Sequence, residues 1–328
     1  MRMNVFITGA SGFIGSFLSE ELIKQGHTVH ALVMSKDPLR WIADLDVKCI
    51  FGDLRNTDSL RNVIQKADYI YHLAGITRAI RSKDFYEVNY LGTKNLVETV
   101  LKTGADIKRF VYISSQAAVG PSPTIEPLDE SQPPRPISEY GKSKLAAENY
   151  LDSIKEELPI TVIRPASVYG PRDQDILQFF KTVKWGIIPQ LGYKERYLSL
   201  IHVRDLVEGI IQAAQAPKTR GGTYFMANLR PYSWEEVAKT ILNIYGKKGV
   251  RILIPEIFLS GVAAISQIFS RIRHKPPVVN TFKLAELKQR FWVCTPRLAE
   301  KDFGFKTRIT LDEGIRETVE WYVQNQWL

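Results

Sequence analysis

Two side chains with complementary acid–base chemistry, Tyr140 and Lys144, stand four residues apart in a segment whose pattern predicts a helix, residues 138–157. Residues at positions i and i+4 share one helix face, so the phenol hydroxyl and the ammonium group can converge. A free tyrosine titrates at about pH 10, but a nearby positive charge stabilises the phenolate and lowers its pKa. The spacing therefore predicts a tyrosine general acid/base that is tuned by a lysine. The alternative is an ordinary tyrosine–lysine pair on a helix surface.

Three glycines near the N-terminus have the spacing of a loop that binds phosphate. Gly9, Gly12 and Gly15 follow the first predicted strand and open the first predicted helix, in the pattern GxxGxxG. Such glycines permit a tight turn, close approach of the backbone to a pyrophosphate, and close contact between helix and sheet. The helix N-terminus adds unpaired N–H groups and the positive end of its dipole. The predicted dinucleotide-binding loop consists of Gly9, Ser11, Gly12, Phe13, Ile14 and Gly15.

The end of the second predicted strand indicates which dinucleotide is bound. An acidic residue there would accept a hydrogen bond from the ribose 2′-hydroxyl and repel a 2′-phosphate. The sequence instead has Ser35 and Lys36, with no acidic residue before Asp37. Ser35 and Lys36, with help from Arg40, are predicted to bind a 2′-phosphate, which favours NADP(H). The alternative is that Lys36 is a simple loop lysine and the protein accepts NAD.

Strand-like and helix-like segments alternate through the first 170 residues. Short apolar runs predict buried parallel strands, and amphipathic patterns between them predict helices. This alternation is typical of a doubly wound α/β fold, a Rossmann-type parallel sheet with helices on both faces. The predicted strands are Asn4–Thr8, Val29–Val33, Tyr69–Leu73, Phe110–Ser114 and Thr161–Arg164. The predicted helices are Phe13–Gln25, Ser59–Gln65, Phe85–Thr103 and Ser138–Glu157.

After residue 170 the alternation weakens, and the chain is predicted to add a smaller, mostly helical cap. Ser233 and Glu236 fit a capping box at the start of one helix, and no strand rhythm is visible after about residue 250. The predicted elements are the helices Asp175–Trp185, Arg204–Ala214 and Trp234–Tyr245 and the strand Thr223–Ala227. We expect a dinucleotide-binding domain of residues 1–170, to which 201–227 return, and a substrate-binding cap of residues 171–200 and 228–328.

Composition excludes several classes of protein. The 328 residues are 45% hydrophobic and 24% charged, which is ordinary for a globular protein. Two cysteines cannot build a disulfide framework, so a cytoplasmic setting is expected. The net charge of +9 is spread along the chain without interleaved aromatic residues, which argues against nucleic-acid binding. We expect no signal peptide, no transmembrane segment and no metal site.

A series of short motifs surrounds the glycine loop and the tyrosine–lysine pair. They are TGASGFIG at 8–15, GDL at 52–54, HLAG at 72–75, VNYLGTKN at 88–95, VYISSQAAVG at 111–120, YGKSK at 140–144, RPASVYGP at 164–171 and IHVRDLVEGI at 201–210. In their order and spacing, the chain resembles the extended short-chain dehydrogenase/reductase family, the NAD-dependent epimerase/dehydratase group. Within that family it looks most like the hydroxysteroid dehydrogenase and dihydroflavonol reductase branch.

The resemblance implies a role for each matching position. Ser115 would hydrogen-bond the substrate oxygen, with Ser114 as the alternative one residue away. Tyr140 would be the general acid/base, and Lys144 would tune it and bind the nicotinamide ribose. Asn89 would support a proton-relay water, unless it only packs beside its helix. The implied contacts with the rest of the dinucleotide are Asp53 and Leu54 at the adenine, Ala74 and Gly75 behind the pyrophosphate, and Pro165 and Val168 at the nicotinamide ring.

The substrate half departs from the nucleotide-sugar enzymes of the family. Where those often carry an arginine that holds the diphosphate, this chain has Leu198, with Arg196 two residues away as a candidate substitute. His202 is interpreted as a structural hydrogen-bonding residue. The apolar stretch 252–270, with a basic end at 271–275, resembles the cap of the hydroxysteroid dehydrogenase branch, which receives bulky apolar substrates. We interpret it as a buried cap helix, with a substrate lining or weak peripheral membrane contact near 252–275 as alternatives.

The leading hypothesis is an NADP(H)-preferring oxidoreductase that moves a hydride between nicotinamide and a secondary alcohol or ketone. A nucleoside-diphosphate-sugar epimerase with tightly bound NAD is the alternative. Dehydration is disfavoured because Gln116 and Ala117 stand where dehydratases of the family carry an acidic pair. A non-catalytic regulator that binds dinucleotide is the third hypothesis. Helices 85–103 and 138–157 match those through which family members dimerise, so the resemblance implies a homodimer.

Overall fold

A parallel β-sheet of seven strands lies at the centre of the computed structural model, which describes residues 2–35, 37–256 and 285–328. The strands are, in chain order, β1 (Asn4–Thr8), β2 (Thr28–Val33), β3 (Val47–Phe51), β4 (Tyr69–His72), β5 (Arg109–Ile113), β6 (Ile160–Pro165), β7 (Ser167–Tyr169), β8 (Ile187–Leu191), β9 (Tyr197–Leu198), β10 (Leu200–His202), β11 (Thr223–Met226), β12 (Tyr232–Ser233), β13 (Val250–Ile254) and β14 (Phe291–Trp292). The helices are α1 (Phe13–Lys24), α2 (Arg61–Gln65), α3 (Ser82–Phe85), α4 (Gly92–Thr103), α5 (Glu139–Ser153), α6 (Leu177–Lys184), α7 (Val203–Gln215), α8 (Trp234–Ile244), α9 (Arg297–Phe303) and α10 (Leu311–Gln324). The π-helical turn Tyr86–Leu91 joins α3 to α4. Single 3-10 turns are formed by Asp58–Leu60, Gln116–Ala118 and Pro217–Thr219.

The large sheet has the strand order β11-β6-β5-β4-β1-β2-β3, and its neighbouring strands are parallel. The order reverses at β1, which has β2 on one side and β4 on the other. In such doubly wound sheets, the ligand crevice opens at the carboxyl ends of the strands where the order reverses. The predicted Rossmann-type fold class is confirmed. Its crevice lies beside Thr8 and His72, which are register partners at the ends of β1 and β4.

Residues along each strand of the large sheet alternate between two apolar cores, one on each face. Val5 and Ile7 of β1 join the core beneath α1 and α7, whereas Phe6 between them joins the core beneath α2, α4 and α5. In β5, Val111 faces the first core and Phe110 faces the second. Because successive side chains point to opposite faces, a strand covered by helices on both sides is apolar throughout. This is why short apolar runs predicted these strands correctly.

The structure also differs from the predicted element pattern. β3 was not predicted, because this edge strand alternates between partly buried and exposed residues and contains no continuous buried run. The expectation of no strand after residue 250 is wrong, since β13 and β14 lie there. β13 carries Arg251 in its centre, and β14 has only two residues, so neither shows a recognisable rhythm. The start of the predicted cap helix 252–270 therefore lies in a strand, and residues 257–284, including the basic end, lie outside the described residues.

The predicted capping box at α8 is present only in part. The Ser233 hydroxyl accepts a hydrogen bond from the Glu236 N–H at 3.1 Å, as an N-cap should. The Glu236 carboxylate, however, binds the Arg230 guanidinium, with the shorter N–O distance 2.6 Å. An available arginine therefore takes the place of the N-cap backbone N–H as the partner of this carboxylate.

Short strands and the remaining helices build the cap. β9 pairs with β12 and β14, and β8 pairs with β13, while α6, α8 and α10 surround a separate apolar core. One C-terminal element departs from this arrangement: α9 packs on β11, and Ala299 and Phe305 belong to the core of the large sheet. The division of the chain into two domains stays a prediction, but the large sheet includes packing partners from both ends of the chain.

Candidate active site

The glycine loop has a backbone that only glycine can adopt at its critical positions. Gly9 has φ of +76°, and a Cβ added there would lie 2.8 Å from the Ala74 nitrogen. A Cβ on Gly15 would lie 2.1 Å from the Gly9 carbonyl oxygen. α1 starts directly afterwards, and its N-cap residue Gly12 has no side chain to satisfy the first N–H groups. A cradle without side chains at a helix N-terminus fits the pyrophosphate of a dinucleotide.

The adenosine side of this loop contains a carboxylate. The Ser11 hydroxyl donates to Asp37 Oδ2 at 2.5 Å, and Asp37 Oδ1 accepts from the Leu39 N–H at 2.9 Å. Ser35 and Arg40 are exposed, and the predicted phosphate ligand Lys36 lies outside the described residues. The sequence interpretation treated Asp37 as too distant to matter. The structure instead holds its carboxylate beside the glycine loop.

Asp53 and Leu54, which the family resemblance assigns to the adenine, follow β3. Asp53 accepts two hydrogen bonds from Arg55 Nε, both at 3.0 Å. This hydrogen-bonded guanidinium holds the pKa of the Asp53 carboxyl below its usual value. Leu54 is buried and packs against the position of Gly92 in α4. Leu54 is therefore part of the apolar floor here, and Asp53 is the polar member of the pair.

The end of β4 brings the loop residues Ala74 and Gly75 close to the catalytic lysine. The Ala74 N–H donates to Thr8 Oγ1 at 3.1 Å, and a Cβ on Gly75 would lie 3.2 Å from Lys144 Nζ. His72 is buried between two threonine hydroxyls. Its Nδ1 lies 2.6 Å from Thr8 Oγ1 of β1, and its Nε2 lies 2.8 Å from Thr93 Oγ1 of α4. Burial, together with the charge of Lys144, lowers the pKa of His72 to about 3. His72 is thus a neutral structural residue that joins β1, β4 and α4.

Ser115, Tyr140 and Lys144 converge at the carboxyl end of β5. Ser138 caps α5 by accepting the Gly141 N–H at 3.1 Å, which places Tyr140 in the first turn. The Ser115 side chain lies near the Tyr140 phenol, whose pKa it lowers, and accepts the Ala117 N–H at 3.1 Å. Lys144 Nζ donates to the Ile113 carbonyl at 2.9 Å. A serine, a tyrosine and a lysine predicted from separate motifs are therefore neighbours.

The same geometry distinguishes Ser115 from its alternative, Ser114. The Ser114 hydroxyl points to the opposite side of the chain and donates to Glu148 Oε1. Arg164 of β6 binds the same carboxylate, with its Nη2 2.6 Å from Glu148 Oε2, and both side chains are buried. Motif reading assigned this buried ion pair no role, although Glu148 stands one turn after Lys144 on the same face of α5. Ser114 is thereby occupied in the core, and Ser115 is the serine that reaches Tyr140.

The electrostatics of the pair differ from the sequence interpretation. Burial raises the pKa of the Tyr140 phenol above its ordinary value, and the carboxylates of Glu286 and Asp175 raise it further, while the Ser115 side chain opposes them. Burial lowers the pKa of Lys144 to about 8, and the Glu148 carboxylate opposes that shift. In the protein without cofactor, desolvation is the largest effect on this pKa. The expected lowering, which relies on Lys144 together with the positive charge of an oxidised nicotinamide, stays a prediction.

Both polar atoms of the Asn89 side chain form hydrogen bonds within the protein. In the π-helical turn, its Oδ1 accepts the Ile76 N–H at 2.8 Å, and its Nδ2 donates to the Ile76 carbonyl at 3.1 Å and to Ser143 Oγ at 3.0 Å. These bonds tie the loop after β4 to α5 directly beside the catalytic turn. They favour the packing alternative, and the proton-relay role stays a prediction.

Sequence reasoning missed three charged residues on the substrate side of Tyr140. Asp175 forms an ion pair with Arg78, which joins the loop before α6 to the loop after β4. Glu286 accepts a hydrogen bond from the Ser138 hydroxyl at 2.5 Å, so a C-terminal residue contacts the cap of the catalytic helix. Neither carboxylate belongs to a recognised motif, and each is far from Tyr140 in sequence. Of the remaining predicted contacts, Pro165 ends β6 and Val168 lies in β7.

The candidate diphosphate arginine is occupied inside the cap. Arg196 is buried, and its guanidinium donates to the carbonyls of Leu191, Lys288 and Gln289 at 2.8 to 3.1 Å and to Glu256 Oε1 at 2.5 Å. Leu198 is buried in the cap core. These contacts use four of the five N–H donors of Arg196 and pair its charge with Glu256.

His202 caps α7 in the way the structural interpretation expects. Its Nδ1 accepts the Arg204 N–H at 3.4 Å, and burial lowers its pKa to about 4. Among residues 2–35, 37–256 and 285–328, no helix has the length and apolar character to cross a membrane. The same stretches contain no cluster of His, Cys, Asp and Glu side chains arranged to hold a metal ion.

Comparison with known proteins places this site in a family. A ceramide reductase of Caulobacter vibrioides is 29% identical over 99% of this chain and 96% of its own length. A 3-beta-hydroxysteroid dehydrogenase of Mycolicibacterium neoaurum is 27% identical over 97% and 91%. The fold matches UDP-glucose 4-epimerase of Thermotoga maritima with a TM-score of 0.81 at 22% identity, over 99% of this chain and 100% of that one.

The family model for the NAD dependent epimerase/dehydratase family matches residues 5–227, which contain the glycine loop, Ser115, Tyr140 and Lys144. Together with the fold and the site geometry, this match extends over most of the chain. The protein belongs to the NAD-dependent epimerase/dehydratase family, the extended short-chain dehydrogenases/reductases, and is an enzyme of that family.

Proposed function

We propose that this enzyme interconverts a ketone and a secondary alcohol by hydride transfer, on a substrate with a bulky apolar body. The proposal rests on the position at which related nucleotide-sugar enzymes often carry an arginine for the diphosphate. Leu198 at this position is buried, and the nearby Arg196 donates its hydrogen bonds to backbone carbonyls and Glu256. Among the described residues, that position offers a nucleotide sugar only a buried leucine and an arginine already paired with Glu256. The names of the curated relatives, a ceramide reductase and a 3-beta-hydroxysteroid dehydrogenase, also denote oxidoreductases.

The chain's own residues account for the proton chemistry of such a reaction. When bound, the nicotinamide ring would supply or accept the hydride. Ser115 and Tyr140, which lie close together, would hold the substrate oxygen between their hydroxyl groups. In reduction, the Tyr140 hydroxyl would give its proton to that oxygen, and in oxidation it would take the proton back. Lys144, 2.9 Å from the Ile113 carbonyl and beside Gly75, is positioned to bind the nicotinamide ribose.

The charge distribution around Tyr140 favours reduction. Its raised pKa keeps the phenol protonated at neutral pH, and a protonated phenol is a proton donor. Oxidation would need the phenolate, which burial and the nearby carboxylates of Glu286 and Asp175 destabilise. The protein without cofactor therefore holds the proton that ketone reduction would consume.

Nucleotide-sugar epimerisation is the second candidate. The family match includes epimerases by name, and the fold is that of a solved UDP-glucose 4-epimerase. Dehydration is less well supported, because the 3-10 turn after Ser115 begins with Gln116 and Ala117 instead of an acidic pair. A purely regulatory role is disfavoured by the convergence of Ser115, Tyr140 and Lys144, since binding alone does not require that arrangement.

A substrate panel separates these candidates. The enzyme is incubated with NADPH or NADH and a series of long-chain and polycyclic ketones, and then with UDP- and GDP-sugars under added NAD. Loss of nicotinamide absorbance that depends on the ketone supports the proposal. Interconversion of a sugar nucleotide without net change in the cofactor would contradict it and establish the epimerase, and no turnover on either panel would favour the regulator.

The choice of dinucleotide is a separate proposal. Ser35 and Lys36 favour NADP(H), whereas the Asp37 carboxylate beside the glycine loop would repel a 2′-phosphate and could accept the ribose 2′-hydroxyl. We retain NADP(H) with Lys36 as the 2′-phosphate ligand and test it against this opposing residue. Lys36→Ala should weaken NADPH binding more than NADH binding in a fluorescence titration. Equal effects, or preferred NADH binding that Asp37→Asn reverses, would assign the site to NAD(H).

Homodimerisation through α4 and α5 also stays a proposal that rests on the family resemblance. These helices lie side by side on one face of the large sheet, opposite to α1 and α7. Light scattering at several protein concentrations measures the oligomeric state directly.

A further inference from the structure

An exposed apolar surface bordered by lysines lies on the cap, away from the catalytic crevice. β8 and β13 form a parallel pair in which Ile187 is the register partner of Val250, Pro189 of Ile252 and Leu191 of Ile254. Side chains alternate along a strand, so these three pairs share one face. The opposite face contains the buried Ile188, as well as Arg251, which reaches Glu235 of α8. The pair therefore contacts the cap through Ile188 on one face, where Leu253 of β13 is still 37% exposed, and presents an apolar row on the other.

The exposed end of this row is strongly aromatic and apolar. Trp185 is 81% exposed and Val250 is 71% exposed, and they adjoin because the Val250 N–H donates to the Gly186 carbonyl at 2.8 Å. Ile252 is 44% exposed in the middle of the row, and Tyr193, just beyond the end of β8, is 84% exposed. An indole left in water is unusual, because Trp is highly buried on average in proteins. Contiguous exposed apolar area of this kind marks an interaction site.

Lysines border the same end. Lys247 Nζ donates to the Lys184 carbonyl at 3.0 Å, and both ammonium groups lie over the Tyr245 ring at 5.8 and 5.9 Å. The carbonyl of Lys248 lies beside Gly186. Residues 177–191 and 244–254 contain no aspartate or glutamate. Three carboxylates elsewhere in the cap, Glu235, Glu195 and Glu256, are bound to other side chains.

We propose that this face, the Trp185 surface (Lys184, Trp185, Ile187, Pro189, Lys247, Lys248, Val250 and Ile252), docks on an anionic lipid bilayer. Trp and Tyr prefer the membrane–water interface, where an apolar ring meets polar headgroups. Lysines near such a surface are attracted by anionic lipids. Exposed rings on an apolar row, next to three lysines without acidic neighbours, combine both requirements on one side of the cap.

Other occupants fit less well. In a symmetric pair of copies, the same patch lies on both sides of the axis, so the lysine border of one copy would face that of the other. A nucleic acid would meet the lysines but would have no use for the apolar row between them. An anionic bilayer has negatively charged headgroups outside an apolar interior. The headgroups match the lysines, and the interior matches the apolar row.

A series of contacts links the far end of the β8–β13 pair to the segment beside the active site. Gly192, at the end of β8, has its N–H bound to the Ile254 carbonyl. Arg196 then joins this end to Glu256 and to the carbonyls of Lys288 and Gln289. Those two residues follow Glu286, whose carboxylate acts on Tyr140. An enzyme docked in this way would hold the segment next to its catalytic tyrosine near the bilayer.

Vesicle sedimentation tests the proposal with the full chain and without substrate, so its outcome is independent of the proposed reaction. Vesicles of equal parts phosphatidylglycerol and phosphatidylcholine are compared with phosphatidylcholine alone. We expect binding to the anionic vesicles that weakens with salt. Replacing Lys184, Lys247 and Lys248 by Gln should weaken binding roughly a hundredfold, at about fivefold per lysine. The matched control replaces Lys24, Lys48 and Lys66, exposed lysines near the large sheet, and should weaken it far less.

A second readout uses the indole itself. The difference in fluorescence between the wild type and Trp185→Phe should shift to the blue on vesicle binding and be quenched by brominated lipid. Trp185→Ser should weaken binding while leaving dinucleotide affinity unchanged. The proposal is overturned by wild-type protein that ignores anionic vesicles, by equal losses in both triple-lysine variants, or by a Trp185 signal that brominated lipid does not quench. A Trp185→Ser variant that changes the oligomeric state would instead make this face an interface between copies, and would also overturn it.

Discussion

At Tyr140, two opposing influences act on the proton of the phenol. Burial and the carboxylates of Glu286 and Asp175 stabilise the neutral form, whereas the Ser115 side chain stabilises the phenolate. The balance leaves a protonated hydroxyl at the position where a substrate oxygen would bind. Lys144 is subject to the opposite shift, since burial favours its neutral form. Burial therefore shifts both groups toward their neutral forms, although Lys144, with a pKa of about 8, is still mostly an ammonium ion at pH 7.

Tyr140→Phe should abolish turnover while dinucleotide affinity stays nearly the same. Only the hydroxyl is removed, and the ring contact with Phe85, at 6.3 Å between centroids, can remain. Turnover is measured with the best ketone of the panel, and affinity by nicotinamide fluorescence. Ser114→Ala is the matched control, because that serine contacts Glu148 instead. Substantial activity in the phenylalanine variant would remove Tyr140 from the chemistry.

The lowered pKa of Lys144 predicts a pH dependence of kcat/KM. Its pKa is about 8, so the ammonium form predominates below that pH and is lost as the pH rises through it. If the charge is needed, kcat/KM for reduction should be constant below about pH 7 and fall above about pH 8. Lys144→Arg keeps its charge throughout this range and should lose the fall, at a lower overall rate. The same fall in both enzymes would assign it to another group.

At this scale, the sequence was informative where a residue type is chemically irreplaceable. Tyr140, Lys144 and Ser115 were found because motifs fix their spacing, and the structure brings them together. Glu286 and Asp175 were not found, because their contact with the site depends on how the cap folds over the sheet. The effect of burial on the pKa of Tyr140 was not predicted for the same reason: spacing reveals a neighbouring charge, whereas desolvation depends on everything packed around the phenol.

Among the elements, α5 combines catalysis with the stability of the sheet. Tyr140, Lys144 and Glu148 follow one another at single-turn intervals on one helix face. Tyr140 faces the substrate, Lys144 lies between the site and the core, and Glu148 binds Arg164 of β6 inside the core. The orientation of the catalytic turn is thus fixed by an ion pair buried under it.

Glu148→Ala should lower the free energy of unfolding by about 3–5 kcal/mol, because it leaves the Arg164 charge buried without its partner. Urea denaturation followed by circular dichroism measures this loss. Glu98→Ala is the matched control in the exposed face of α4, where its ion pairs with Lys94 and Lys102 are 3.8 and 3.6 Å long and should contribute under about 1 kcal/mol. Equal losses in the two variants would contradict the structural role of the buried pair.

Prediction of elements succeeded where the residues of a strand are mostly buried, which includes the edge strand β11, and failed where they are largely exposed. β1, β4, β5 and β6 are central strands with continuous apolar runs, and all four were predicted. β3 lies at the sheet edge with one side open, and β13 carries Arg251 on an otherwise apolar strand. In these strands tertiary contacts decide the conformation, and no short-range pattern records them.

Across the whole molecule, side chains from distant segments bind the cap to the dinucleotide lobe. Arg172 reaches Glu20 of α1 at 2.5 Å and lies over the rings of Phe17 and Trp41, at 4.5 and 5.3 Å from the centroids. Trp41, in the loop after β2, also contacts Trp321 of α10 at 5.4 Å. The loop on the adenosine side is therefore braced by the cap, and cofactor binding there acts on a structure already coupled to the substrate side.

The return of α9 to the large sheet bears on how the chain can fold during its synthesis. Phe305 fills the space beside Gly209, where a Cβ would lie 2.6 Å from its ring, and Phe303 meets the Tyr224 ring at 5.4 Å between centroids. Asp302 accepts the Tyr224 hydroxyl at 3.1 Å. Residues 5–227, the part that matches the family model, therefore expose this apolar seam until the ribosome has added some eighty further residues.

A fragment of residues 1–227 should accordingly be compact but loosely packed. It should bind a hydrophobic dye and lack a cooperative thermal transition, whereas adding a peptide of residues 295–328 should restore part of that transition. Calorimetry on the fragment with and without the peptide measures this, and an independent sharp transition in the fragment alone would show the opposite. For a nascent chain, the segment matched by the family model is then a unit of descent but not a unit of folding, and its last stabilising contacts form only after residue 305 has been added.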